Sequence, residues 1–121
     1  MAVRRVLLAI ALAACATPAS ADDAGRAALV AALHGKVAAC WMVPTDLPAH
    51  IEAVRVKFFL TETGALDGSP IIEGRIGGDG ATKAFAASAV RAIVRCAPFT
   101  GLARLAPYAD WKTVAMTFKR P

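Results

Sequence analysis

The sequence predicts an α+β domain with element order α-β-β-α-β, a three-stranded antiparallel sheet with two helices packed on one face. Three observations predict it. Two stretches repeat apolar residues at three- and four-residue spacings, the period of an amphipathic helix. Two others alternate apolar with polar residues, the period of a half-buried strand. Segments rich in glycine and proline separate the four and mark turns.

The first helix is expected over residues 23 to 41, with Asp23 capping its start. Leu29, Leu33, Val37 and Cys40 form its apolar stripe, Trp41 adds a large core neighbour, and Pro44 and Pro48 end the run. From Ile51 the period becomes two. Val54, Val56, Phe58 and Leu60 alternate with Arg55, Lys57, Phe59 and Thr61, and only Phe59 breaks the polar face. Glu62-Thr63-Gly64 supplies turn chemistry, and a weaker strand follows from about Leu66 to Arg75, interrupted by Gly68 and Pro70. The two strands form an antiparallel hairpin, and Pro70 places the second at an edge, where a missing donor is tolerated.

Gly77-Gly78-Asp79-Gly80 lacks both the Lys-Ser/Thr of a phosphate loop and the spacing of a dinucleotide fingerprint, so it reads as a loop. A second helix follows from about Thr82 to Cys96, with Phe85, Ala89, Ala92, Ile93 and Cys96 on one side and Lys83, Arg91 and Arg95 toward the other. Pro98 stops it. Leu102 to Tyr108 form an irregular connection, and Trp111 leads into a last strand, Lys112 to Phe118, where Val114, Met116 and Phe118 alternate with Thr113, Ala115 and Thr117. The first strand is expected in the middle of the sheet, leaving the second and last as edges.

The N-terminus reads as an export signal over residues 1–21, followed by one domain over residues 22–121. Met1 to Arg5 are basic, Val6 to Ala16 are apolar, and Ala19-Ser20-Ala21 is a small-x-small site, so cleavage is expected between Ala21 and Asp22. The apolar run has 11 residues, short of the roughly 20 that a spanning helix needs. Leu12-Ala13-Ala14-Cys15 offers a second route, lipidation at Cys15. A periplasmic protein is expected by the first route, and an outer-membrane lipoprotein facing the periplasm by the second.

Either route leaves Cys40 and Cys96 as a pair, 56 positions apart. In an oxidising compartment such a pair reads as a disulfide joining the C-terminal turns of the two helices, with two separately buried thiols as the alternative. A metal site would need four ligands at short spacings. The mature composition excludes other classes. Of the 14 basic residues, Arg4 and Arg5 go with the signal, leaving a net of +3 against 9 acidic ones. The basic residues are scattered, so no nucleic-acid partner is expected. His34 and His50 stand apart from any acid or nucleophile at catalytic spacing, and neither an enzyme nor a cofactor is expected.

Four stretches resemble the TonB/TolA C-terminal domain family, and its TolA-like branch most: Val37 to Pro44, Val54 to Pro70, Phe85 to Phe99, and Tyr108 to Phe118. The most specific are Cys40-Trp41 and Arg95-Cys96-Ala97-Pro98-Phe99 around a glycine-containing hairpin. The resemblance implies a protein-binding domain concerned with envelope integrity or energy transduction, which captures partners by adding their strand to an exposed sheet edge. The implied docking edge is Lys112, Thr113, Val114, Ala115, Met116, Thr117 and Phe118. The implied partners are Tol-system or outer-membrane receptor proteins, and the same edge could pair two copies of the chain. Force-transmitting members carry a membrane anchor and a long spacer. This sequence shows neither, so the implied role is that of an accessory or adaptor. A periplasmic inhibitor or stabilising module for an envelope enzyme is the alternative.

Overall fold

The computed structural model describes residues 21–121. Residues 1–20, which hold Cys15 and all of the expected export signal except Ala21, lie outside the described residues. The chain forms α1 (Ala21–Cys40), β1 (Ala53–Phe59), β2 (Ile71–Glu73), α2 (Gly80–Cys96), a 3-10 turn (Leu102–Arg104), a short helix α3 (Tyr108–Trp111) and β3 (Thr113–Lys119). The sheet has the order β2-β1-β3 with both pairings antiparallel. The expected α+β architecture with β1 in the centre is therefore the observed one.

Strand alternation decides the layering. Val54, Val56, Phe58 and Leu60 of the β1 segment and Val114, Met116 and Phe118 of β3 are buried, whereas Arg55, Ala115 and Lys119 are exposed. The buried face takes Leu29, Leu33 and Val37 from α1 and Phe85, Ala89, Ala92 and Ile93 from α2. Alanine at positions 86, 89 and 92 keeps the α2 surface shallow, so bulky sheet residues such as Phe58 fit beneath it. Trp41 is half-buried at the end of α1, edge-on to Phe85 at 5.7 Å and to Phe118 at 5.1 Å. Its indole N–H donates to Ser88 Oγ at 3.0 Å.

Several boundaries differ from the sequence expectation, each for a local reason. The alanine-rich start of α1 carries the helix past Asp23, which lies inside the first turns instead of capping them. At α2 the cap is Asp79. Its Oδ2 accepts from the Thr82 backbone N–H at 3.0 Å, and Thr82 Oγ1 donates to Oδ1 at 2.7 Å. The side-chain bond first, and then the backbone bond, hold the Asp79 carboxyl below its ordinary pKa. The glycine-rich loop is therefore a helix start. β2 shrinks to three residues because Gly68 and Gly74 take positive φ and Pro70 lies between them, leaving only an isolated Leu60–Leu66 bridge beyond it.

The connection from residue 102 to 111 is helical in two short pieces. Lys112 is the C-cap of α3, outside the strand in which it was expected, and β3 gains Lys119 at its other end. The Lys112 carbonyl still accepts from Leu60 N–H at 2.9 Å, so the ladder begins there. Trp111 is buried, and its Nε1 donates to the Ala106 carbonyl at 3.0 Å. Arg120 ties the far end of β3 to the loop after α1, donating to the carbonyls of Leu47, Pro48 and Ile51 at 3.1, 2.7 and 3.1 Å. Those carbonyls lie in a loop with no ladder of its own, and of the three only Pro48 O also accepts a backbone bond, from Ile51 N–H at 3.1 Å, so Arg120 supplies donors the loop lacks.

Candidate functional site

The candidate site is the free edge of β3 with the groove beside it. β3 pairs along its whole length with β1 and has no strand on its other side among the described residues. Two bonds fix which backbone groups are left over. Leu60 N–H donates to Lys112 O, and Arg120 N–H donates to Glu52 O, both at 2.9 Å. These pairs share the register of Phe58 with Val114, Val56 with Met116 and Val54 with Phe118. Hydrogen-bonded groups alternate along an antiparallel strand, so the even-numbered residues of β3 bond to β1. Thr113, Ala115, Thr117 and Lys119 therefore aim their N–H and C=O groups away from the sheet.

Natural edges are commonly blocked by charge, proline or a bulge. In β3 charge stands only at the margins, Lys112 before the strand and Lys119 at its end, while Thr113, Ala115 and Thr117 between them are small and uncharged. β2, the other edge, is three residues long and offers far less backbone.

A groove of about 600 Å³ runs beside this edge. Its helix wall is His34, Val37 and Ala38 of α1, with Trp41 directly after the helix, at the spacing of a helical face. Its sheet wall is Met116, Thr117, Phe118 and Lys119, with Ala115 and Arg55 at the outer rim. The lining includes an arginine, a lysine and a histidine and no carboxylate. Arg55 is partly engaged: its Nε lies 3.0 Å from Glu73 Oε1 and its Nη1 3.5 Å from Thr117 Oγ1. Lys57, on the same outer face, sits 5.6 Å from the Phe59 ring centre. Lys119 is exposed and forms no ion pair among the described residues.

The Cys40 and Cys96 sulfurs are bonded, with Cα atoms 5.8 Å apart, and they join the last turns of α1 and α2. The bridge fixes the end of α1 that forms the groove wall, immediately before Trp41. Of the residues expected to form the site, Thr113 to Phe118 lie together on the open edge, while Cys40 and Cys96 lie behind its wall. Sequence reasoning missed His34, Ala38 and Arg55. The first two were readable as the exposed flank of the α1 stripe, but their apposition to β3 depends on tertiary packing.

Other chemistry is sparse. Among the described residues no group of three or more His, Cys, Asp or Glu is placed to hold a metal ion. None of their helices is long and apolar enough to cross a membrane. His50 Nε2 lies 3.4 Å from Asp79 Oδ2 at an exposed helix start, where the Thr82 hydroxyl donates to Asp79 as part of the cap.

Over residues 23–121 the chain matches the family model described as Uncharacterised conserved protein UCP034077. No curated protein matches it, and no solved structure does. This family match overturns the resemblance to the TonB/TolA C-terminal domain. The residues that carried the resemblance have a local explanation. Cys40-Trp41 and the Arg95 to Phe99 segment serve the disulfide and the aromatic packing of this core, and glycine-containing hairpins recur in many α+β folds. The Tol-system and receptor partners rested on that resemblance and lose its support.

Proposed function

We propose that this chain, which belongs to the family described as Uncharacterised conserved protein UCP034077, is an exported protein-binding module that captures an extended segment of another envelope protein as a fourth strand on β3. The observation that carries this reading is the seven-residue β3 with outward backbone groups at Thr113, Ala115, Thr117 and Lys119, small side chains along its middle and a groove alongside. Strand addition uses such a surface directly: backbone bonds supply affinity, and alternate side chains of the guest fall into the groove.

Export to the periplasm follows from the basic, apolar and small-residue pattern of the N-terminus, and the disulfide fits an oxidising compartment. The reading is of a binder and not of an enzyme, since the groove walls are apolar and cationic without a nucleophile and its base.

Ala115→Pro tests it. Proline at this position removes an outward N–H and adds ring atoms on the open side, while the ladder to β1 keeps its bonds. The protein and its Ala115→Pro variant, shown by circular dichroism to be equally folded, are used as baits in envelope extract. The expected result is a defined partner retained by the first and lost from the second. Retention of the same partner by both would move docking to another surface.

A further inference from the structure

The geometry points to a specific chemistry for the guest of this edge: an extended segment that alternates apolar with acidic residues, apolar side chains toward α1 and carboxylates toward the open face of the sheet. The inference rests on the strand-addition reading and adds the sequence pattern that the edge selects.

The two sides of a strand laid along β3 would meet different surfaces, because successive side chains point to opposite faces. On the helix side lie Val37, Ala38, Trp41, Met116 and Phe118, which favour aliphatic guests. The other side is the sheet face that no helix covers. Its charged groups on the three strands are Arg55, Lys57 and Lys119 against Glu73, already paired with Arg55, while Asp67 lies across β1 from the open edge, beside Phe59. Lys119 is at the edge itself, and Arg55 reaches it through Thr117. A guest carboxylate opposite Lys119 therefore meets positive charge with no ion-pair partner among the described residues, and a guest lysine meets repulsion.

A second copy of the chain is the poorer occupant. Antiparallel pairing of two β3 strands about Met116 would set Lys112 of each copy opposite Arg120 of the other, and Lys119 opposite Thr113, with no acid in either edge to offset the cations. Self-association is thus an outcome to be tested.

The test uses three short blocked peptides with the disulfide-closed protein: alternating valine and glutamate, alternating valine and lysine, and the valine–glutamate peptide with a central proline. Affinities are read by calorimetry at low salt, and the site is read by backbone amide shifts. The expected result is binding of the glutamate peptide at Thr113 to Lys119, weaker on the order of tenfold for the lysine peptide, because attraction at Lys119 becomes repulsion. Lys119→Gln should shrink that preference without abolishing binding. Equal binding of both charged peptides at β3 overturns the acidic pattern and leaves strand addition standing. Failure of both at β3, or unchanged binding of the proline peptide, overturns strand addition itself. A concentration-dependent dimer closed through β3 in the absence of peptide would make a second copy the occupant and overturn the inference.

Discussion

Replacing Cys40 and Cys96 together by alanine is expected to lower the unfolding free energy by about 4 kcal/mol, the loop-entropy contribution of a crosslink at this separation. The size matters because small domains are stable by only about 5–15 kcal/mol in total. Alanine suits the half-buried positions and leaves no new polar group to satisfy. Urea titrations of the variant and of the wild-type protein with and without reductant should show the variant coinciding with the reduced wild type, both well below the oxidised form. Coincidence of all three curves would mean that the crosslink adds nothing to the fold. The site should also respond. Without the bridge the last turn of α1 keeps noncovalent contacts alone, among them those of Val37 and Trp41, so the groove wall loosens, and binding at β3 should weaken under conditions where the domain is still folded.

Gly64→Ala is expected to cost about 2–5 kcal/mol, from left-handed backbone together with steric overlap in a packed interior. Gly64 has φ +85° in the turn after β1, where its N–H donates to Thr61 O at 2.9 Å. Its carbonyl accepts from Phe99 N–H at 2.7 Å, so the hairpin turn is clamped on the segment that follows α2. An added Cβ would overlap the Phe99 carbonyl, which is backbone and cannot rotate aside. Phe99 in turn is buried and stacked with Phe58 at 5.7 Å, so relief of the overlap would disturb the centre of the core. Thermal and urea unfolding of the variant measure the loss. Gly68→Ala is the control, since it has a similar φ of +83° but open space around it, and it should show the conformational part alone.

The contrast between these two glycines shows where the sequence is legible and where it is not. Both stood in turn segments, and nothing in the one-dimensional pattern distinguished a glycine pressed against backbone from one facing solvent. The strong periodicities carried the layout. The stripe of Leu29, Leu33 and Val37 and the alternation of Val54 to Leu60 and of Val114 to Phe118 gave helix, central strand and edge strand, because burial on one face is what creates those periods. The cysteine pair was readable on other grounds, as the two cysteines left after either export route in an oxidising compartment.

Other features depended on three-dimensional neighbours. The Asp79 cap hid inside a glycine-rich run, where glycine spacing drew attention away from Asp79 and Thr82. The α3 turn was missed because four residues carry too little periodicity to read. The edge at β3 was located correctly in the chain apart from Lys112, but the groove was not, since His34 and Ala38 of α1 meet β3 only when both elements pack on the core. Family resemblance was the weakest guide. Motifs set by a disulfide and by aromatic packing suggested a family to which the chain does not belong.

The central claim is that β3 is the docking edge, and amide hydrogen exchange resolved to single residues tests it most directly. In the free protein the amides of Val114, Met116 and Phe118, bonded to β1, should exchange slowly, while those of Thr113, Ala115 and Thr117, which face the open side, should exchange fast. With a partner captured from the envelope, or with the valine–glutamate peptide bound, the account predicts that the three fast amides become protected and that the β2 edge is unchanged. Fast exchange persisting at Thr113, Ala115 and Thr117 in a saturated complex would contradict it.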